Sequence, residues 1–426
     1  MNITVFPKKL SGQVTVPPSK SVAHRMVIAA ALSTGVSEIT NLYPSVDILA
    51  TMDCMRALGA KIDFDGDKAV IEGIKDIPES AVLDCCESGS TLRFLIPVAC
   101  ALGVDTQFIG RGRLPQRPIT PYLEEFPKHG VSFEYNNTMP FSVNGKLTGG
   151  KFYVDGGISS QFITGLLFSL PLLEEDSEII LTSHLESKPY VDITLGTLRE
   201  HGCQVEETEN GYFVKGGQRY MPFSGRVEGD YSQAAFFKVA NSLGSDIDIA
   251  GLSEKSFQGD KKIVEICEKI VYNKNGGLQP FDLDCSDIPD LVPVLTVLGS
   301  FCEGKSYIRN AARLRIKECD RLSAISQCLN VIGGKVTELE DGLEIEGVGS
   351  LNGGEVDSFN DHRIAMSMAV AATRCTSPLK INGAECVSKS YPDFFEVYES
   401  IGGEISREPS VSYTHLRAHE TRRHLV

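Results

Sequence analysis

The stretch Val14-Thr15-Val16-Pro17-Pro18-Ser19-Lys20-Ser21-Val22-Ala23-His24-Arg25, running on into the apolar segment Met26 to Leu32, reads as a short strand, a polar knot and a helix. A second strand follows, and the same order returns about every 55 to 75 residues. Its six copies start near Gly12, Ala81, Gly150, Arg226, Phe281 and Glu355. The stretches Leu92 to Leu102, Phe162 to Leu170 and Ile364 to Ala372 match Met26 to Leu32 in being apolar on nearly every side. Such helices are expected to be buried among strands, since a surface helix carries only one apolar stripe. Gly-rich turns punctuate the rest, which predicts an α/β fold of repeated units with mixed sheets. Three units precede about residue 228 and three follow, so the simplest arrangement is two pseudo-equivalent domains with a candidate hinge at Val227 to Asp230. The strand-like segment Asn2 to Val16 can join either half.

The chain has 426 residues, 42% of them apolar, enough for two or three domains with developed cores. Lys+Arg 41 against Asp+Glu 56 leaves a net charge of -15, which disfavours nucleic acid or anionic lipid unless cations are gathered locally. Twelve cysteines without a CxxC pair or zinc spacing fit reduced thiols in a cytosol. The N-terminus lacks a secretory pattern, and no apolar run approaches the roughly 20 residues of a spanning helix. The expectation is a cytoplasmic protein that binds neither membrane nor nucleic acid.

The knots carry the chemistry. Each sits where a helix begins, and the unpaired N–H groups and positive dipole end of a helix favour anions there. Ser, Asp and Asn are also ordinary N-caps, so one knot alone says little. Lys20, His24 and Arg25 are different, because cations at a helix start oppose the dipole, and a shared anion resolves the conflict. Arg93, Arg111, Arg113, Arg117 and Arg363 occur in similar places. The densest group is Arg313-Leu-Arg315-Ile-Lys317-Glu318-Cys319-Asp320-Arg321, where Arg313, Arg315 and Lys317 alternate at period two while Lys317, Glu318 and Arg321 fit one helical face, which suggests a strand or loop entering a helix. Arginine forks and lysine point charges suit carboxylate and phosphate oxygens. In Asp282-Leu-Asp284-Cys-Ser-Asp287-Ile-Pro-Asp290, Asp287 has the look of an N-cap and Asp290 falls near the third helical position. A metal is not expected there, since no EF-hand or HExxH pattern accompanies it. A carboxylate facing cationic knots is instead a candidate general base. No GxGxxG, GxxxxGK[ST] or GxSxG motif is present.

Taken together, the motifs resemble the 3-phosphoshikimate 1-carboxyvinyltransferase (EPSP synthase) family. The residues that carry the resemblance are Pro18 to Arg25, Leu114 to Ile119, Ile158 to Phe162, Ser187 to Thr194, Ile288 to Asp290, Arg315 to Arg321, Asn360 to Arg363 and Lys389 to Phe395, in order over about residues 3 to 405. The resemblance implies two pseudo-symmetric domains, each of three βαββαβ units with buried helices, an inside-out α/β barrel. Residues 1–17 with 229–407 would form one domain, 18–228 an inserted second, and 408–426 a tail. It implies transfer of the enolpyruvyl group of phosphoenolpyruvate to the 5-hydroxyl of shikimate 3-phosphate in aromatic amino acid biosynthesis, by a monomer without cofactor or metal. By similarity, Lys20, Ser21, Arg25, Ser159, Ser160, Gln161, Ser187, Tyr190, Asp290, Arg313 and Lys317 would meet shikimate 3-phosphate. Lys20, Gly89, Arg117, Gln161, Arg321, Arg363 and Lys389 would meet phosphoenolpyruvate. Asp290 is the implied base, Glu318 the implied acid, and Lys20 a further acid/base candidate.

Two positions depart from the family pattern. Glu87 stands where some members have Asn and puts a negative charge near a phosphate, and Arg313 likewise adds a cation. The related enolpyruvyl transferase acting on UDP-N-acetylglucosamine is the nearest rival, but the loop Gly110 to Pro118 holds no cysteine. An RNA-end-binding protein of similar repeat fold is more remote, since acidity opposes it. The tail from about Glu408 holds three of the eight histidines and is expected to be a disordered, non-native read-through.

Overall fold

The computed structural model describes residues 1–271 and 277–408. Of the tail reading, residues 409–426 lie outside the described residues, whereas Glu408 belongs to the fold, as the last residue of the strand Glu404–Glu408 and paired with Asn2. Five four-stranded sheets share one plan, in which a parallel pair is extended by two antiparallel strands. In the second unit, Ser80–Asp84 lies parallel to Asp105–Ile109, and Val131–Glu134 and Phe141–Gly145 complete the sheet. A parallel pair needs a crossover, and the helix Gly89–Leu102 supplies it. That helix is buried on nearly all sides, as its apolar sequence predicts.

Long-range pairing closes two of the sheets. Asn2–Phe6 runs between Leu379–Asn382 and Glu404–Glu408, antiparallel to both. Ser11–Thr15 pairs in parallel with Asp246–Ala250, while Gly225–Arg226 returns to pair with Val36–Thr40. Two apolar cores result, one spanning Ala23 to Val227 and one joining Ile3 to Val16 with Tyr231 to Ile401. We propose that these cores are two domains with the boundaries given above.

Packing between the buried helices is set by small and unusual residues. Pro97 lacks the N–H that would bond the Arg93 carbonyl one turn back. The Tyr122 hydroxyl donates to that carbonyl at 2.7 Å instead. Gly165 on the helix Ser160–Ser169 admits this contact, since a Cβ there would lie 2.3 Å from the Arg93 oxygen.

Two strands of chain connect the halves side by side. Pro18 bridges Gly229, Ser19 N–H donates to Glu228 O at 2.7 Å, and Asp230 N–H donates to Pro17 O at 2.9 Å. Asp230 then caps a helix in each half. Its Oδ1 accepts from the N–H groups of Ser232 and Gln233, and its Oδ2 from the N–H of Lys20 at 3.1 Å. Ser19, the nominal cap of Lys20–Leu32, makes no such side-chain bond. Losing two caps at once is expected to lower stability by about 2 kcal/mol in Asp230→Ala. The fall in urea midpoint measures it, and Asp230→Asn, which keeps an acceptor oxygen, should lose less.

Candidate active site

Between the two cores lies a cleft of about 770 Å³, its open mouth included, within the usual size range of small-molecule sites. The first turns of several helices line it: Lys20, Ser21 and Arg25 from Lys20–Leu32, Gly89 and Ser90 from Gly89–Leu102, and His362 and Arg363 from His362–Ala372. Ser159, Ser160 and Gln161 come from the start of Ser160–Ser169, Ser187 and Tyr190 from that of Lys188–Glu200. Seven cationic side chains face three carboxylates, Asp47, Asp290 and Glu318. A chain of charge -15 thus keeps a strongly positive cleft, with helix N-termini adding to its field.

At its centre, Asp290 is shared by both halves. Arg321 Nη1 donates to Asp290 Oδ1 at 2.9 Å and Arg363 Nη2 to Oδ2 at 2.7 Å. The Tyr190 hydroxyl, from the first half, reaches Asp290 Oδ2 at 3.2 Å and Asp260 Oδ2 at 2.9 Å. Burial pushes the Asp290 carboxyl up, but Arg363, Arg321 and Lys317 outweigh it and leave the group well below the carboxylate range. Glu318 follows the same balance: burial raises it, and Arg321, which donates at 2.8 Å, with Arg117, His362 and Lys20 brings it well below its ordinary value. Both are ionised without ligand. Asp260, buried near Asp290, is pushed the other way, up to about 8, by burial and by that neighbouring charge.

The remaining cations differ in how they are held. Burial opposes the Lys20 charge, yet Asp47 at 2.8 Å, with Glu318, leaves its pKa raised. Burial brings Arg25 down to about 9; its guanidinium donates to Thr194, Ser21 O, Thr164 and Tyr190 O, with no carboxylate partner among the described residues. The Arg117 guanidinium packs against Gly89, where a Cβ would stand 2.4 Å from Nη1, so a larger residue there would have to displace that guanidinium. Arg93, buried behind the cleft, holds Gln161 Oε1 at 2.7 Å and so orients that amide.

Every site residue expected from the sequence lines this cleft except Lys389, which is paired with Glu87 beside it. Arg313 binds Glu186 of the other half at 2.7 Å. Two local readings need correction. The segment does enter a helix from a loop, but Lys317 and Glu318 lie on the loop side: they follow the turn Ala312–Ile316, and the helix Arg321–Val331 begins only after its cap Asp320. Asp287 caps nothing, because the turn Pro289–Leu291 starts from Ile288. Asp47, Asp260 and His362 are not among the site residues that the sequence marks. Asp47 and Asp260 sit in first helical turns, where acids are common for the dipole alone, so no local signal separates them.

Burial pulls Lys317 down to about 7, with Arg117 and Arg321 adding to it against Asp290. Above that pH the ligand-free amine is losing its proton, and a bound dianion restores it. Anion binding near pH 8 is therefore expected to take up a proton, and affinity to fall as pH rises through 7. Calorimetric titration with inorganic phosphate in two buffers of different ionisation enthalpy measures the uptake. Buffer-independent heats, or an uptake unchanged in Lys317→Met, would contradict it. In the absence of ligand, stability should rise with pH between 7 and 10.5, where the unfolded lysine is protonated and the folded one is not.

Comparison with known proteins covers most of the chain. Residues 6–398 match the family model for EPSP synthase (3-phosphoshikimate 1-carboxyvinyltransferase). The chain is 47% identical to a 3-phosphoshikimate 1-carboxyvinyltransferase of Clostridium perfringens, over 95% of this chain and 99% of that one. A relative of the same description from Clostridioides difficile is 46% identical over 95% and 98%. The solved EPSP synthase of Acinetobacter baumannii superposes with a TM-score of 0.80 at 25% identity, covering 95% of this chain and all of that one. With the cationic cleft and the repeated units already in place, these matches make the chain a member of the EPSP synthase family.

Proposed function

We propose that this chain transfers the enolpyruvyl group of phosphoenolpyruvate to the 5-hydroxyl of shikimate 3-phosphate, with release of phosphate. The observation that carries the reading is Asp290, held between Tyr190 of one half and Arg321 and Arg363 of the other in a cleft of net positive charge. The two substrates carry two phosphates and two carboxylates between them, which answers the excess of cations.

In this reading Ser159, Ser160, Ser187, Arg313 and Lys317 take the shikimate phosphate, while Ser21, Arg25, Gln161 and Tyr190 orient the ring. Lys20, Arg117 and the Gly89 backbone take the phosphate of phosphoenolpyruvate. Its carboxylate draws Arg321 and Arg363 away from Asp290, which weakens the two ion pairs that depress the Asp290 pKa and makes it a stronger base. Asp290 then accepts the 5-hydroxyl proton as that oxygen bonds to C2, and Glu318 delivers a proton to C3. For Glu318 to hold that proton, the bound anions must offset the Arg321 and Arg117 charges that otherwise keep it ionised. Lys20, held protonated beside Asp47, is a second proton source. In the elimination, C3 returns a proton and the C–O bond to phosphate breaks, releasing phosphate from the tetrahedral ketal.

Both walls of the cleft come from one chain, which supports action as a monomer. No described helix is long and apolar enough to cross a membrane, and all twelve cysteines are free, which supports a reducing cytoplasm. Phosphate release from phosphoenolpyruvate is expected with shikimate 3-phosphate and not with UDP-N-acetylglucosamine; the reverse preference would sink the assignment. Asp290→Asn and Glu318→Gln are each expected to lower kcat by roughly 10²–10⁴-fold, with calorimetry still detecting shikimate 3-phosphate.

A further inference from the structure

At the back of the cleft, one hydroxyl stands between two carboxylates. The Tyr190 oxygen lies 2.9 Å from Asp260 Oδ2 and 3.2 Å from Asp290 Oδ2. A phenol has one proton to give, and burial together with the two acids pushes the Tyr190 pKa well above its ordinary value, so that proton stays on the oxygen. Both contacts are hydrogen bonds only when one of the carboxyls is itself protonated and donates to the phenol. Asp290 is not that one, because Arg321 and Arg363 hold it ionised. Asp260, on the short turn Gly259–Lys261, is 4% exposed and does not line the cleft. Its Oδ1 is buried with no hydrogen-bond partner among the described residues, which is costlier for an anionic oxygen than for the carbonyl oxygen of a neutral acid. The charges facing it are Asp290 and Asp230, which favour the neutral form, and Arg363, which opposes it but gives its N–H to Asp290. Lys262 and Glu265, on the helix that continues from the turn, line a separate groove, and Lys188 and Asp192 on the tyrosine's helix pair with each other.

We propose that Asp260 is held as the neutral acid and is a positioning residue for the transfer reaction: its O–H donates to the Tyr190 oxygen, which commits the Tyr190 proton to Asp290 and holds that base in place. The inference rests on the reaction assigned above. There the phosphoenolpyruvate carboxylate draws Arg321 and Arg363 off Asp290, and Tyr190 remains as its donor. An ionised Asp260, the nearer of the two acceptors, takes the Tyr190 proton for itself and leaves the base without it. Burial and the Asp290 charge place that ionisation at about 8. Below this pH the donors run in one direction, from Asp260 to Tyr190 to Asp290; above it the first link reverses. Asp260 gives up no proton during turnover.

Infrared difference spectroscopy and steady-state kinetics of the full chain test this. At neutral pH the parent is expected to show a carbonyl band of a protonated carboxylic acid that Asp260→Asn lacks, and to lose it as pH rises through about 8. No such difference, in variant protein whose circular dichroism shows it folded, would overturn the proposal. With both substrates saturating, the bound phosphate keeps Lys317 protonated, and kcat of the parent should fall roughly tenfold between pH 7 and 9. Asp260→Asn, whose amide can donate to Tyr190 at every pH, should lack that fall. The same fall in Asp260→Asn would assign it to another group and overturn the positioning role. Its persistence in Tyr190→Phe would mean that Asp260 acts by charge alone and would overturn the route through the hydroxyl. Should the parent chain release no phosphate from phosphoenolpyruvate, the assigned reaction falls, while the infrared comparison still decides whether Asp260 is the neutral acid.

Discussion

Arg321 is the side chain on which the cleft depends. It is 2% exposed, and it meets Asp361 at 2.7 Å, Glu318 at 2.8 Å and Asp290 at 2.9 Å. Removing a guanidinium from water is strongly unfavourable unless its N–H groups are paired, and here carboxylates from separate stretches of chain do so. Asp361 is itself fully buried and caps the helix His362–Ala372 through the N–H of Arg363. The helix that presents Arg363 is thereby tied to the helix that begins with Arg321. Asp290 is held between them, so the candidate base and both candidate carboxylate ligands form one network.

That network sits where it does because of how the sheets are wired. In four of the parallel pairs one helix is the crossover and starts as the first strand ends, and in the other two the exchanged strands Ser11–Thr15 and Gly225–Arg226 likewise lead into a helix start. Helix N-termini therefore gather along one side of each half, and the two halves turn those sides toward a common cleft. Packing the helices as a buried layer requires close approach, which Gly165 and the Tyr122 bond to the Arg93 carbonyl permit. The stability of the layer and the polarity of the cleft thus share one cause: apolar helix bodies go inward and their polar starts are left at the edge.

The electrostatics of the cleft set burial against its own charges. Lys317 and Arg25 are depressed by burial, Asp290 and Glu318 are depressed by cations that outweigh burial, and His362 is buried with neither ring nitrogen bonded. Under the proposed reaction, bound anions would favour the charged Lys317 and Arg25 and raise the Asp290 and Glu318 pKa values, a form of differential binding.

Six repeated units, the buried character of their helices, and the knots bearing Lys20, Arg25, Asp290, Arg321 and Arg363 were all legible in the chain, because helix periodicity, capping and the mismatch of cations with a helix dipole are local properties. Only the tertiary structure decided that Asn2–Phe6 closes the last sheet and Gly225–Arg226 the first, since strand pairing across more than 180 residues leaves no local trace. The same holds for Asp47 and Asp260, which look like ordinary first-turn acids until Lys20 and Tyr190 fold against them. It holds for Glu87, whose charge has no partner near it in the sequence and is met by Lys389 from the other half. Residue type sets what chemistry a side chain can do; its neighbours, brought from far along the chain, set its charge state and its partner.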